Sequence, residues 1–313
     1  MPNLLFDSLS VVKLVKSMPG GIAQGLLWGV MALGVYITFR LLNAADLTVD
    51  GSFTTGGAVA VMLILNGWPA YLALIIAFLA GLAAGLVTGL LHTLLGIPVI
   101  LSGILTQFAL YSINLRIMGM ASNKAVSVDK YRLLLSSRYV PSAILFGALF
   151  ALALVAIMYW YFGTEQGSAF RATGNNPVMS RAQGIHIEGI TVLGFCLSNG
   201  VVALSGGLMA QYQGFADINM GRGAIVIGLA AIIIGEGLSK AVLGKHLNFF
   251  GTLSFTVLGG VAYYLVVVLV LWLRLNSNDL KLFTAVIVAV FLGLPKLKET
   301  LNGRKKKEAG LHA

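Results

Sequence analysis

Residues 70–91 read AYLALIIAFLAGLAAGLVTGLL, a run with no charged side chain. As a helix rising 1.5 Å per residue it is about 33 Å long, enough to cross the roughly 30 Å hydrocarbon core of a bilayer. Within it Gly81, Gly85 and Gly89 recur at every fourth position. That spacing puts them on one helix face as a ridge of small groups along which a second backbone can approach closely. The ridge is a helix-packing surface, whether inside this chain or against another subunit.

Similar segments lie on both sides, at 21–39, 53–66, 98–118, 141–162, 189–211, 223–238, 250–273 and 282–294. A water-soluble domain carries about 25% charged residues. This chain carries 10%, against 58% apolar, too few charges to coat a surface facing water. The expected fold is therefore all-α: a polytopic transmembrane helix bundle of about 8–10 helices. It forms a single membrane-spanning domain over 1–313, with 1–20 as an N-terminal interfacial segment and 296–313 as a basic cytoplasmic tail. Segments 53–66, 223–238 and 282–294 are short for a crossing, so extension, tilting or breaks are expected there. Short, glycine-interrupted segments at matching places in two halves point to transporter architecture.

The halves echo one another. Ala45-Asp46-Leu47 follows the first long segment and precedes a short one; Ala216-Asp217-Ile218 does the same 171 residues later. Applied to 21–39, that offset falls on 192–210, within three residues of a segment already identified. An odd number of crossings between the echoes makes the repeat inverted.

Several chemistries are excluded or disfavoured. The one cysteine, Cys196, cannot form a disulfide within the chain. His92, His186, His246 and His312 are scattered with no metal-ligand spacing, so no metal site is expected. No Gly-x-x-x-x-Gly-Lys-Ser/Thr phosphate loop occurs, so ATP is not expected to bind this chain. The net charge of +10 fits cytoplasmic loops and anionic lipid headgroups, without nucleic acid as a partner. The tail from Lys296 to Lys307 is the densest basic run. It puts the C-terminus in the cytoplasm, and with it 163–188 and 239–249; the N-terminus and 119–140 then lie outside. Lys124, Lys130, Arg132 and Arg138 in 119–140 run against that rule. Tyr159-Trp160-Tyr161-Phe162 closes a helix as a headgroup-level aromatic belt.

Polar residues inside apolar segments mark candidate sites. Asp46, Asp50 and Thr54 flank the start of 53–66. They either cap that helix at the interface or face the translocation path. Gln107 and Asn114 share a helical face with Gly103, and Ser198 and Asn199 resemble them. Both sets either bond neighbouring helices or line the path. In 163–188, Gly174-Asn175-Asn176-Pro177 is turn chemistry leading into a short helix over 178–183 that stops at Gly184. Two short helices around a tight turn make a compact knob at a membrane face.

That segment, Phe170-Arg171-Ala172-Thr173-Gly174-Asn175-Asn176-Pro177 with Arg181 and Gly184-Ile185, resembles the coupling segment of ABC transporter permeases of the branched-chain amino acid/ribose importer family. Ala32 to Arg40, Asp46 to Phe53, Gly103 to Gln107 and Ala109 to Arg116 are similar to its tryptophan/tyrosine-type branch. The resemblance covers about residues 20–295. It implies a binding-protein-dependent importer, multi-pass in the bacterial cell membrane, moving a small polar solute such as an amino acid. It also implies a partner ABC ATPase carrying ATP and magnesium, an extracellular substrate-binding protein, and a second permease chain forming a homodimer. Arg171, Gly174, Asn176, Pro177, Arg181 and Gly184 are then the ATPase-coupling residues. The alternative is an ion-coupled secondary transporter with its ion at Asp46 or Asp50. A channel is disfavoured, since no ring of like charges or carbonyl filter stands out.

Overall fold

The computed structural model describes residues 11–243 and 248–272, with Leu282, Val286 and Ala289. Ten α-helices are present among them: α1 (Val11–Tyr36), α2 (Thr48–Leu65), α3 (Ala70–Thr93), α4 (Val99–Ile117), α5 (Val140–Phe162), α6 (Glu165–Asn175), α7 (Pro177–Ala182), α8 (Ile187–Gln213), α9 (Ala224–Leu243) and α10 (Phe249–Trp272). A π-helical turn, Ile37–Leu41, prolongs α1. Eight of the helices are long and apolar enough to cross a membrane. Two three-residue strands, β1 (Asn123–Ala125) and β2 (Phe215–Asp217), pair antiparallel. The tail 296–313 and most of 282–294 lie outside the described residues.

Residues 11–20 are the first turns of α1, which begins at Val11. Of the courses expected for the short segments 53–66 and 223–238, the structure shows extension and not breaks: they are the apolar parts of α2 and α9. α2 begins five residues earlier, at Thr48, its first turns being polar, and α9 runs five residues further, to Leu243, past Ser239 and Lys240. In α2 these polar groups are satisfied inside the bundle. Thr54 Oγ1 donates to the Asp50 carbonyl (3.1 Å), Thr55 Oγ1 to the Gly51 carbonyl (2.9 Å), and Ser52 Oγ to Asn199 Oδ1 (2.7 Å). A membrane helix tolerates polar side chains that are paired in this way.

The axis of the bundle is α8, and contacts along it give each neighbour's direction. Ser205 Oγ donates to the Leu27 carbonyl and Ser198 Oγ to the Gly34 carbonyl, so α1 runs antiparallel to α8. Cβ atoms built on Gly81, Gly85 and Gly89 would meet Asn199, Phe195 and Val192 in turn, so α3 is antiparallel too. At Gly85 such a Cβ would lie 2.1 Å from the Phe195 carbonyl oxygen. The glycine ridge is therefore an internal α3–α8 seam. Ser52 beside Asn199, Gly56 beside Ala203 and Gly207 beside Ala60 make α2 parallel to α8.

These directions describe an inverted repeat. In the first unit, α1 runs toward the end of the bundle that carries α6 and α7. The chain turns back at Asp46, α2 starts beside the middle of α8 and runs away from that end, and α3 returns. In the second unit, α8, α9 and α10 have the three opposite directions. Gly228 lies against Met31 and Val35, Arg40 pairs with Glu236, and Gly21 lies against Val268. The links also match: Asp46 Oδ1 accepts from Thr48 N (2.9 Å), and Asp217 Oδ1 from Asn219 N (2.8 Å). As a result α2 and α9 both begin at mid-depth and run toward opposite ends. The segment before α5, with β1, packs at the end opposite α6 and α7: Val126 N donates to the Gly214 carbonyl and Ser137 N to the Tyr212 carbonyl.

Candidate translocation cavity and coupling knob

Where α2 and α9 begin, Asp50 joins them. Its Oδ2 accepts from Gly223 N (2.9 Å) and its Oδ1 from Ile225 N (3.0 Å). These are amides at the start of α9, where donors lack helical partners and a carboxylate is favoured by the helix dipole. Gly221 N donates to Thr54 Oγ1 (3.1 Å). Gly221 fits there because a Cβ would lie 2.0 Å from the Asp50 carbonyl oxygen.

Beside this junction is a cavity of about 460 Å³ lined by α2, α4 and the link into α9. Asp50, Thr54, Gln107 and Asn114, four of the sequence-derived path candidates, all line it. Asn114 Nδ2 reaches the Gly51 carbonyl (3.4 Å), while its buried Oδ1 has no hydrogen-bond partner among the described residues. Sequence reasoning missed Arg222, Phe108 and Tyr111, which complete the wall. The available signal was Gly221-Arg222-Gly223, a cation between two glycines just ahead of an apolar segment.

The other three candidates lie elsewhere. Asp46, Ser198 and Asn199 are buried in the helix interior. Asn199 Nδ2 donates to Asp46 Oδ2 (2.6 Å) and Asn199 Oδ1 accepts from Ser52. Thr48, Thr88 and Thr106 continue the network through hydroxyl bonds of 2.7 and 2.9 Å. This network binds α2, α3, α4 and α8 together and leaves no side-chain surface for cargo. Ser198 bonds to α1. A polar helical face reads the same in sequence whether it meets a cavity or a neighbouring helix, and the Ser198–Asn199 face of α8 meets α1 and α2.

The knob is α6 and α7. Asn176 Oδ1 caps α7 by accepting from Met179 N (3.0 Å), Pro177 occupies its first turn, and Gly184 (φ +82°) ends the turn that follows. Gly174 sits so close to the π-turn that a Cβ would be 1.9 Å from the Leu41 carbonyl oxygen. Phe170 is buried among Tyr161, Phe162 and the base of the knob. Both arginines have partners inside the chain. Arg171 Nη1 donates to the Phe162 carbonyl (2.8 Å), and Arg181 pairs with Glu188. The outward tip is instead apolar: Val178 is 82% exposed and Met179 60%. The knob is thus packed onto α5 and the π-turn.

The sequence matches the family described as branched-chain amino acid transport system / permease component over residues 17–294. It is 37% identical to a tyrosine transport system permease protein of Clostridioides difficile (strain R20291), covering 91% of this chain and 93% of that one. It is 30% identical to an autoinducer 2 import system permease protein of Escherichia coli O9:H4 (strain HS), over 70% of this chain and 64% of the relative. Among solved structures, a metal-chelate type ABC transporter in an inward-facing conformation matches with a TM-score of 0.51 at 17% identity, over 95% of this chain and 99% of that one. That likeness is one of fold.

Proposed function

This chain belongs to the family of branched-chain amino acid transport system permease components, and from that premise we propose that it carries a zwitterionic aromatic amino acid along the cavity walled by Asp50, Asn114 and Arg222. It is the membrane-spanning permease subunit of an ABC importer, a multi-pass protein of the bacterial cell membrane, and not itself an enzyme. ATP hydrolysis belongs to a partner ATPase.

The observation behind the substrate class is the make-up of the cavity wall: one carboxylate, one guanidinium and two aromatic rings. An amino acid offers an ammonium, a carboxylate and a side chain. Asp50 and Asn114 Oδ1 suit the first, Arg222 suits the second, and Phe108 and Tyr111 suit a planar ring. The 37% identical relative, a tyrosine permease, supports the same class. The cavity is open, so these charges are screened and hold cargo loosely; neutral hydrogen bonds add only about 0.5–1.5 kcal/mol each. Loose binding suits a conduit whose selectivity resides in an extracellular binding protein.

The working assembly in this proposal is two permease copies, two ATPase subunits carrying ATP and magnesium, and one binding protein. The knob end faces the cytoplasm and seats the apolar tip of α7 in the ATPase. ATPase closure pushes on Val178 and Met179, moves the knob against the π-turn and α5, and shifts α9 relative to α2 at the Asp50 junction. The test is a Val178→Asp/Met179→Asp double variant, which alters only exposed positions. Co-purification of the ATPase and substrate-stimulated hydrolysis are expected to fall by about tenfold or more, as for loss of an interface hot spot, with membrane insertion unchanged. Unaltered ATPase binding and transport would remove the knob tip from the mechanism.

A further inference from the structure

The outer wall of the bundle has a second opening. Around α1, α2 and α8, helix α4 packs on α3, α5 on α10, and α10 on α9. The cavity lies beside α4 and the start of α9, whereas the second opening lies between α3 and α5. It is a groove of about 540 Å³, floored by Leu197, Val201 and Leu204 of α8 and lined almost wholly by carbon. Along α5 it runs from Phe150 to Phe162, about 18 Å at helical rise. That spans the hydrocarbon of one leaflet, half of a roughly 30 Å core.

At the knob end, Trp160 and Phe162 also line a second depression, shared with Arg171 and Phe249. The Arg171 guanidinium is fixed there by the Phe162 carbonyl and lies 6.0 Å from the Phe249 ring centroid. Arg40, Arg138 and Arg181 each pair with a carboxylate, but Arg171 has none within ion-pair distance among the described residues. The groove thus ends at the headgroup level in a held, unpaired cation with most of its donors free.

We propose that this is a binding site for one anionic phospholipid of the leaflet on the knob side. An acyl chain fills the α3–α5 groove and the phosphate meets Arg171. The lipid thereby touches the base of the knob, where the nature of the leaflet can bear on coupling. The proposal rests on the chain being a membrane permease and is independent of its cargo.

The test is native mass spectrometry of the purified full-length chain, with phosphatidylglycerol or phosphatidylcholine added. Wild type is expected to retain one phosphatidylglycerol per chain in preference to phosphatidylcholine. Arg171→Gln should weaken that retention about fivefold, the worth of one basic residue at a lipid surface, and Arg171→Lys should restore it. Leu197→Trp, which fills the groove floor, should release the lipid with Arg171 intact; it carries the test if Arg171→Gln fails to fold. Equal retention of the two lipids, indifference to both variants, or a second copy of the chain held at the groove would each overturn the proposal.

Discussion

Asn199→Leu is expected to abolish recovery of folded, monodisperse protein from the membrane. Asn199 Nδ2 donates to Asp46 Oδ2 at 2.6 Å, and Asp46 is 2% exposed at mid-depth in the bundle. Leaving a buried hydrogen-bonding group without its partner costs about 1–3 kcal/mol, and more for a charged one. Native stabilities are about 5–15 kcal/mol. The same change also removes the acceptor of Ser52 Oγ. The double variant Asp46→Leu/Asn199→Leu is expected to recover part of the loss, since it removes the stranded carboxylate. Size-exclusion profiles and thermal unfolding of the two variants and wild type measure this non-additivity. A well-behaved Asn199→Leu protein would show that the network is dispensable.

Asp50→Leu is expected to cut ATP-driven uptake by at least about tenfold, equivalent to 1.4 kcal/mol or more, while the protein still inserts and binds its ATPase. Two effects coincide at this residue. The Gly223 and Ile225 amides lose their acceptor at the helix start, so α9 is no longer pinned to α2. The cavity also loses its one carboxylate. Asp50→Asn keeps a side-chain acceptor but not the charge, so it should restore the helix start and leave a smaller deficit. Initial rates of labelled tyrosine uptake in vesicles, read beside basal ATP hydrolysis, separate the two contributions. Full uptake by Asp50→Leu would take this carboxylate out of the path.

What the sequence made legible follows from what each residue senses. Residues 70–91 and 141–162 are uniformly apolar, and hydropathy alone places α3 and α5 to within about two residues at each end. The knob is equally legible, because Asn176, Pro177 and Gly184 act through local backbone chemistry. The start of α2 was hidden, since Thr48 and Ser52 become acceptable in a membrane only through partners far along the chain. The cavity was legible in half. Asp50, Thr54, Gln107 and Asn114 stood out as polar residues in apolar surroundings. Phe108 and Tyr111 did not, since an aromatic ring on a membrane helix looks the same facing lipid or cargo. Asn199 and Gln107 were indistinguishable in sequence, and only the central position of α8 separates a structural amide from a cavity one. The arginines at 171 and 181 were read as partners for an ATPase; Arg181 pairs with Glu188, Arg171 gives one donor to the Phe162 carbonyl, and the most exposed part of the tip is Val178 and Met179.

The most direct test reconstitutes the purified chain in sealed vesicles, with and without its ATPase and binding protein, and follows labelled tyrosine. Accumulation is expected only when ATPase, ATP and magnesium are all present on the knob side, and no sodium or proton gradient should be required. Accumulation by the chain alone, driven by such a gradient without ATP and lost in Asp50→Asn, would contradict the account and identify a secondary transporter.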